Sequence, residues 1–264
     1  MRYHIDTHVH VYHCYEPENF LSLAISNSAQ AGSATNLILC LTESSGFNFF
    51  RELKSKQSTR SSIAGWLISE IQGQPAVLLK KSDQQIIFIA GRQVITKQGL
   101  EVLALFNDEQ YEDGEDIQTI IDKINDNEGI AVLPWGVGKW LGKRGNIITG
   151  LLNSNKPGKL VIADISARPA LWPLPDQFKL ARRSGYSSLY GTDPLPLESD
   201  QDRVGSAGMV MELSSNEPQA ISVLKSALFD NINNETYGKR VSAFRFVKDQ
   251  LMLRLNKQSC LSAQ

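Results

Sequence analysis

An aspartate and two histidines stand at alternate positions near the start of the chain, as Asp6, His8 and His10. Strand-forming residues fill the positions between them, and alternate side chains of a β-strand project from the same face. Two imidazoles at this spacing can both reach one metal ion, and a neighbouring carboxylate can bind the ion or orient an imidazole. The spacing therefore favours a metal site at the end of the first strand over surface histidines on a solvated strand end.

The composition narrows the class of protein. The chain has 264 residues, 42% of them hydrophobic, which is enough for one large domain of the size that α/β barrels reach. Its net charge of −1 offers no basic field, so we expect no nucleic-acid partner. Cys14, Cys40 and Cys260 lie too far apart for a metal motif, and the longest apolar runs are strand-sized. We therefore expect a cytoplasmic protein without a membrane span that acts on a small-molecule substrate, with its oligomeric state left open.

Apolar runs and helix signals alternate along the chain. Asn36 to Thr42 is continuously apolar, as a strand buried on both faces should be. It lies between helices predicted at Phe20 to Ala31 and Gly46 to Lys56. Between residues 63 and 106, short strands separated by turn residues indicate an antiparallel excursion. Strands and helices then alternate again, which is typical of a mainly parallel sheet.

This alternation predicts an α/β fold in which parallel strands close into a distorted barrel. The barrel is expected to be a single domain over residues 1–264, with C-terminal helices between 217 and 255 packed on it. In such barrels the functional groups lie at the carboxyl ends of the strands. Acids and histidines collect among the residues at those ends, which are His8 and His10, Thr42-Glu43-Ser44, Gly91-Arg92-Gln93, Glu101, Leu133-Pro134-Trp135-Gly136, Asp164 and Gly191-Thr192-Asp193. One such acid is more often a solvated loop residue or a helix cap, whereas the set together indicates a site.

These motifs together resemble the PHP (polymerase and histidinol phosphatase) superfamily of metal-dependent phosphoesterases. The first motif of that family has the form D-x-H-x-H, which Asp6, His8 and His10 match. Later segments resemble its other motifs in the same order: Thr42-Glu43-Ser44, Gly91-Arg92-Gln93-Val94-Ile95-Thr96, Leu133-Pro134 and Thr192-Asp193-Pro194-Leu195. The resemblance spans about residues 3 to 196. It implies a distorted TIM-like (β/α)7 barrel of PHP type that hydrolyses phosphoesters with bound metal.

The sequence departs from this family at several ligand positions. All four histidines lie within the first 13 residues, so Ser44, Leu133 and Leu195 stand where the family has histidines. Gln93 stands where the family has a glutamate, and a three-metal site cannot be built from these positions. The resemblance therefore implies one divalent ion, which could be Zn²⁺, Mn²⁺ or Fe²⁺. Its expected ligands are His8, His10, Glu101 and Asp193, and Glu43 is an alternative carboxylate ligand.

A second resemblance is to amidohydrolases of the metal-dependent barrel superfamily, which also open with D-x-H-x-H. Their last barrel strand often ends in G-T-D-x-P, which is close to Gly191-Thr192-Asp193-Pro194. Their aspartate acts as the general base, which implies the same role for Asp193. Two later histidines of that family have no counterpart here. The substrate therefore stays open between a phosphoester and an amide or lactone.

A glycine-rich loop follows the strand predicted at Ile130 to Pro134. It contains Lys139, Lys143 and Arg144. Glycines let the backbone approach a ligand closely, and cations and aromatic rings can hold an anionic or planar group. The loop lacks the spacing of a phosphate-binding P-loop, and a solvated surface loop explains it equally well. The candidate substrate-binding residues are Lys139, Arg144, Trp135 and, after the next strand, Arg168.

Two hypotheses about function follow. In the first, the protein is a metal-dependent hydrolase with His10 and Asp193 as catalytic residues, and its metal activates water against a phosphoester or other small anionic substrate. In the second, the lost ligands have ended turnover and the chain is a non-catalytic barrel that binds a metal or ligand. The intact first motif favours the hydrolase, and the missing histidines favour the second hypothesis. Because the ligands must be neutral imidazoles, occupancy is expected to fall near pH ~6.5.

Overall fold

The computed structural model describes residues 1–32, 36–57, 62–230 and 235–255. Its strands, in chain order, are β1 (Arg2–Val9), β2 (Asn36–Leu41), β3 (Ser62–Ile63), β4 (Trp66–Glu70), β5 (Ala76–Lys81), β6 (Gln84–Ile89), β7 (Gly91–Ile95), β8 (Glu101–Leu105), β9 (Ile130–Pro134), β10 (Val161–Ile165), β11 (Ser188–Gly191), β12 (Gly208–Glu212) and β13 (Glu235–Tyr237). The helices are α1 (Pro17–Gln30), α2 (Phe49–Gln57), α3 (Ile117–Asp126), α4 (Gly142–Ser154), α5 (Asp176–Arg183), α6 (Glu217–Asp230) and α7 (Ala243–Leu255), with a 3-10 helix at Glu198–Arg203.

The strands form two mixed sheets. The first has eight strands in the order β13-β12-β1-β2-β6-β5-β4-β3, and the second has five in the order β11-β10-β9-β8-β7. In the first sheet β1, β2 and β6 run parallel, with antiparallel strands on both sides. In the second sheet β9, β10 and β11 run parallel, and β8 and β7 are antiparallel additions. The α/β class expected from alternating strand and helix signals is confirmed.

The expected (β/α)7 barrel is wrong, because neither sheet closes on itself among the described residues. The chain reverses direction repeatedly between β3 and β9, so these strands do not follow one another around a parallel ring. Contacts between the two sheets where they approach include an isolated bridge between Glu43 and Arg92 and a 2.9 Å hydrogen bond from Asp193 N to His8 O. Periodicity predicts where strands form but does not predict which strands pair.

Strand β1 carries the two candidate ligands and lies between β12 and β2 in the first sheet. Its register with β2 shifts between Asp6 and Val9. Ile5, before this irregularity, packs in the cluster shared with the second sheet, whereas Val9 packs with side chains from α1 and α2. The strict alternation expected along this strand is therefore broken just before the strand ends.

The largest apolar cluster contains side chains from both sheets and from α6. Leu103 and Val132 of the second sheet, Ile38 of the first and Leu224 of α6 all lie in it, fully buried. Truncating one such side chain to alanine typically costs about 2–5 kcal/mol of stability. This shared core joins the two sheets, so that strand ends from both contribute to one site.

Candidate metal centre

Three ligand atoms converge where β1 and β11 end. Nε2 of His8 lies 3.2 Å from Nε2 of His10. Oδ1 of Asp193 lies 3.4 Å from the first nitrogen and 3.6 Å from the second. Both imidazoles are buried, and the aspartate is partly exposed. Within the described part of the chain, these three residues form a group whose ligand atoms all lie within 4.8 Å of one another.

The spacing of these atoms fits a divalent ion. Ligand atoms at about 2.0–2.1 Å from one tetrahedral ion lie about 3.3–3.4 Å from one another. The separations in this group, from 3.2 to 3.6 Å, are close to that value. Two imidazole nitrogens and one carboxylate oxygen are suitable donors for Zn²⁺, Mn²⁺ and Fe²⁺. The donor set therefore fits the expected cofactor and leaves the metal's identity open.

Burial keeps both imidazoles neutral. It lowers the pKa of His8 to about 4, with Lys139 lowering it further and Glu101 and Gln93 raising it. Burial also lowers the pKa of His10 to about 3. A neutral imidazole is the form that binds a metal ion, so both side chains are ready to bind at pH 7.

Asp6 does not join these ligands; its carboxylate holds the two sheets together. It accepts hydrogen bonds from Thr192 Oγ1 at 2.6 Å, from Thr192 N at 2.9 Å and from Gly205 N at 3.0 Å. A fourth, weaker bond comes from His8 N at 3.3 Å. Complete burial raises its pKa to about 6, although these donors act in the opposite direction. The close approach needs Gly191, because a Cβ there would lie 2.5 Å from His8 N.

Glu43, the alternative acid, is also directed away from the three ligands. Its Oε1 accepts a hydrogen bond from Phe50 N at 3.3 Å, in the first turn of α2. Its other oxygen lies 3.9 Å from Arg92, which donates to Phe47 O and to Asn48 Oδ1. Burial raises the pKa of Glu43 to about 7, and Arg92 opposes this rise. The side chain therefore joins the end of β2 to the first turn of α2.

A cavity of about 340 Å³ opens beside the three ligands. His10, Asp193 and Gln93 line one side of it. Glu101 and Lys139 also line it and contact each other as an ion pair. Glu101 was expected as a metal ligand, but its carboxylate is bound to the lysine ammonium group. Its role as a ligand stays a prediction, and the group of three is complete without it.

Of the candidate substrate-binding residues, the structure brings only Lys139 to this cavity. Arg144 donates to Gly138 O at 3.1 Å and to Gly99 O at 3.3 Å, so it holds the glycine-rich loop against the turn before β8. Trp135 is buried and packs edge-on against Trp172.

Arg168 binds a carboxylate outside the cavity. It binds both oxygens of Asp164, at 2.8 and 2.7 Å, and its exposed fraction is 1%. Arg240 joins the same carboxylate at 2.5 Å. The arginine therefore stabilises the end of β10 instead of facing the cavity.

Sequence reasoning missed the arginine that does reach the cavity. Arg203, at the end of the 3-10 helix, donates to Ser166 Oγ and to Thr192 O, both at 2.8 Å. It also pairs with the fully buried Asp200 at 3.0 Å. No local motif marks this residue.

Helix α7 forms another wall that the sequence did not indicate, through Phe246, Asp249 and Gln250. Arg245 fastens this helix, because it binds Asp200 at 2.8 Å and Asp249 at 3.0 Å. Only the folded chain reveals that the C-terminal helix borders the site.

Known proteins resemble this chain in fold but not in sequence. No protein-family model matches it, and no curated protein matches its sequence. The structure of PsfC from Pseudomonas syringae aligns with a TM-score of 0.61 and 13% identity, over 97% of this chain and 99% of its own. The lesion-specific endonuclease PfuEndoQ from Pyrococcus furiosus aligns with a TM-score of 0.50 and 13% identity, over 89% of this chain and 58% of its own.

Endonuclease Q in complex with a 27-mer duplex substrate, with an abasic lesion at its active site, aligns with a TM-score of 0.52 and 10% identity, over 96% of this chain and 67% of its own. At such identities the likeness establishes the fold alone. It is consistent with the PHP-like fold that the motifs imply, and it adds no support for the amidohydrolase resemblance.

These neighbours correct one expectation. The exclusion of a nucleic-acid partner was wrong, because endonuclease Q has a comparable fold and holds a duplex substrate at its active site. The exclusion relied on a net charge of −1 for the whole chain. Binding depends on the local field at the contact surface and not on the net charge of the whole chain. A separate finding concerns membranes: within the described ranges, every helix is too short or too polar to cross one.

Proposed function

We propose that this protein is a metal-dependent hydrolase that cleaves phosphoesters with one divalent ion held by His8, His10 and Asp193. The observation that supports it best is the convergence of three ligand atoms, 3.2 to 3.6 Å apart, beside a cavity. When bound, a divalent ion supplies Lewis-acid activation of water and of a phosphoryl oxygen. Its identity, among Zn²⁺, Mn²⁺ and Fe²⁺, is for experiment to decide.

The charges around the cavity favour an anionic substrate once a metal is bound. Four carboxylates lie in or next to it and three cations face them: Asp193, Glu101, Asp200 and Asp249 against Lys139, Arg203 and Arg245. A divalent ion would turn this small excess of negative charge into a small excess of positive charge. A phosphoester oxygen would then find cationic partners on two sides, at Lys139 and Arg203.

Asp193 is the side chain placed to handle protons, and His10 beside it acts as a metal ligand through Nε2. Both line the cavity, and Oδ1 of Asp193 lies within 3.6 Å of both imidazoles. Burial raises the pKa of Asp193, while His10 and Arg203 lower it. A bound divalent ion would lower this pKa again, so Asp193 is proposed as the general base because of its position in the cavity beside the other ligands.

One observation favours the alternative of a non-catalytic metal-binding protein. Glu101 is occupied by Lys139, and Gln93, at the family's glutamate position, is neutral. The ion would then have few anionic ligands and no second ion beside it. We prefer the hydrolase because the cavity next to the three ligands carries cations suited to an anionic ligand.

The test is metal analysis of protein purified without chelator, followed by assays against p-nitrophenyl phosphate, bis-p-nitrophenyl phosphate and a duplex oligonucleotide with one abasic site. We expect about one ion per chain and metal-dependent cleavage of at least one phosphoester. His8→Ala and His10→Ala should remove both properties. His13→Ala is the matched control, since His13 is exposed and stacks on Phe47 outside the group of three.

Each outcome separates the candidate functions. Bound metal without cleavage of any phosphoester would favour the non-catalytic protein. Metal-free protein after metal-replete expression, with no rise in melting temperature on adding Zn²⁺ or Mn²⁺, would overturn both candidates, because a ligand of the native state must stabilise it.

A further inference from the structure

The ion pair between Lys139 and Glu101 differs from the other lysine–carboxylate pairs of the described chain. Its side chains are 29% and 16% exposed, whereas those of Lys123 and Glu115 are 49% and 29% exposed. The pair lies inside the cavity that His10 and Asp193 line. This ammonium group is therefore part of the electrostatic environment of the three ligands.

The glycine-rich loop is built to place this lysine. Lys139 N donates to Gly136 O at 3.0 Å, which closes a turn. The aliphatic part of the lysine then lies against Gly136, where an added Cβ would meet its Cδ at 2.8 Å. Arg144 ties Gly138 O to Gly99 O and so holds the loop next to the turn that precedes Glu101. Lysine and glutamate are thus brought together by the backbone, not by two flexible surface side chains.

Glu101 would otherwise be an available metal ligand. It lines the cavity together with Gln93, Asp193 and Lys139, so three side chains with oxygen donors share the cavity that contains the ammonium group. Hydrolases that cleave phosphoesters often use two cations to stabilise the attacking and leaving oxygens. A fixed ammonium group can supply positive charge at one of those positions and at the same time repel a second metal ion.

We propose that the Lys139 ammonium group is the built-in second cation of this site: it holds the position beside Glu101 that a second metal ion would otherwise take, and it binds the anionic oxygen of the substrate. This inference rests on the proposed function, because it requires the first ion at His8, His10 and Asp193. It assigns to the protein a centre with one metal and one lysine.

The experiment counts ions and measures binding of inorganic phosphate to the whole chain. Metal-free protein is titrated with Zn²⁺, and bound zinc is determined after dialysis. We expect wild type to bind one ion and Lys139→Met to bind two. The second ion should be lost again in the double variant Lys139→Met/Glu101→Gln. Lys123→Met is the matched control, because it breaks a lysine–glutamate pair outside the cavity and should still bind one ion.

Phosphate binding gives the second measurement. With one equivalent of Zn²⁺, Lys139→Met should bind phosphate about ten- to hundredfold more weakly than wild type, as expected for loss of a charged hydrogen bond. Excess Zn²⁺ should restore the affinity of this variant and leave that of wild type unchanged. A lysine with only a structural role would give no such rescue by metal.

The outcomes are distinguishable from failure of the proposed function. If wild type binds no ion, the proposed function fails, and this inference fails with it. If wild type and Lys139→Met each bind one ion and both remain folded by circular dichroism, the metal centre stands and the inference about Lys139 is overturned. Two ions bound to wild type would also overturn it.

Discussion

Replacing Glu43 with glutamine tests whether its burial as a charged group destabilises the protein. Glutamine keeps the shape, and its side-chain oxygen can still accept the hydrogen bond from Phe50 N. Arg92 keeps two other acceptors, Phe47 O and Asn48 Oδ1, so the change does not leave it without partners. The substitution therefore removes the charge with little other disturbance.

The magnitude follows from the pKa of Glu43, which burial raises from 4.5 to about 7 in the folded protein. This difference corresponds to about 3 kcal/mol by which folding favours the protonated form. The folded state then binds the proton more tightly than the unfolded state, so wild type loses stability as pH rises from 4.5 through about 7. Glutamine does not titrate, and the advantage of the variant over wild type should grow by about 2–3 kcal/mol between pH 4.5 and 8.

Urea unfolding of metal-free wild type and Glu43→Gln at pH 5 and pH 8 measures this quantity. Taking the difference between the two proteins at each pH cancels the titration of all other groups. Glu112→Gln, at an exposed loop position, is the control and should show nearly the same difference at both values. A difference for Glu43→Gln that does not change with pH would refute the reasoning. It would mean that Arg92 and the helix N-terminus compensate the buried charge fully.

Three further predictions concern the junction between the strands and the metal ligands. Thr192→Val removes the 2.6 Å hydrogen bond to Asp6, so the free energy of unfolding measured with urea should fall by about 1–3 kcal/mol. An unchanged free energy of unfolding would show that this hydrogen bond does not stabilise the junction. Gly191→Ala places a Cβ 2.5 Å from His8 N, so calorimetry should find metal affinity reduced at least about tenfold. Gly150→Ala, which meets nothing within 4 Å, is its control and should keep that affinity. Burial lowers the pKa of His8 to about 4, so metal occupancy should be maintained through pH ~6.5 and lost only at lower pH. Equilibrium dialysis measures this occupancy, and a loss of metal centred at pH ~6.5 would contradict the argument from burial.

The elements themselves could be predicted because their signals are local. Ile130–Pro134 is apolar at four positions before a proline, and it forms β9 with those bounds. Ile117, Ile120, Ile121 and Ile124 repeat at helical spacing, and Asp116 accepts from Gln118 N as an N-cap, so the signals for α3 are also local. The pairing of strands depends on contacts between distant segments, which no local pattern contains. A closed barrel was therefore a natural but wrong inference from correct elements.

The residues of the candidate site could likewise be predicted only where their signals are local. His8 and His10 were visible because they lie two residues apart, and the resemblance to known motifs directed attention to Asp193. Arg168 was expected to bind the substrate, but it pairs with Asp164. The sequence alone does not distinguish an arginine that is already paired from one that is available to a ligand. Arg203 reaches the cavity only because Asp200 and Ser166 hold it there. Its position depends on tertiary contacts that local reading cannot supply.

The bonds from Asp6 to Thr192 and Gly205 join segments 186 and 199 residues apart. A ribosome adding about 5–20 residues per second needs about 10–40 seconds to proceed from one segment to the other. Throughout that interval His8 and His10 exist without their carboxylate partner and without the strand that borders them. Two imidazoles alone hold a divalent ion weakly, so tight binding has to await the last third of the polypeptide. If the proposed metal centre is correct, metal supply would therefore act on a finished fold: the ion would stabilise the native state and would not nucleate it.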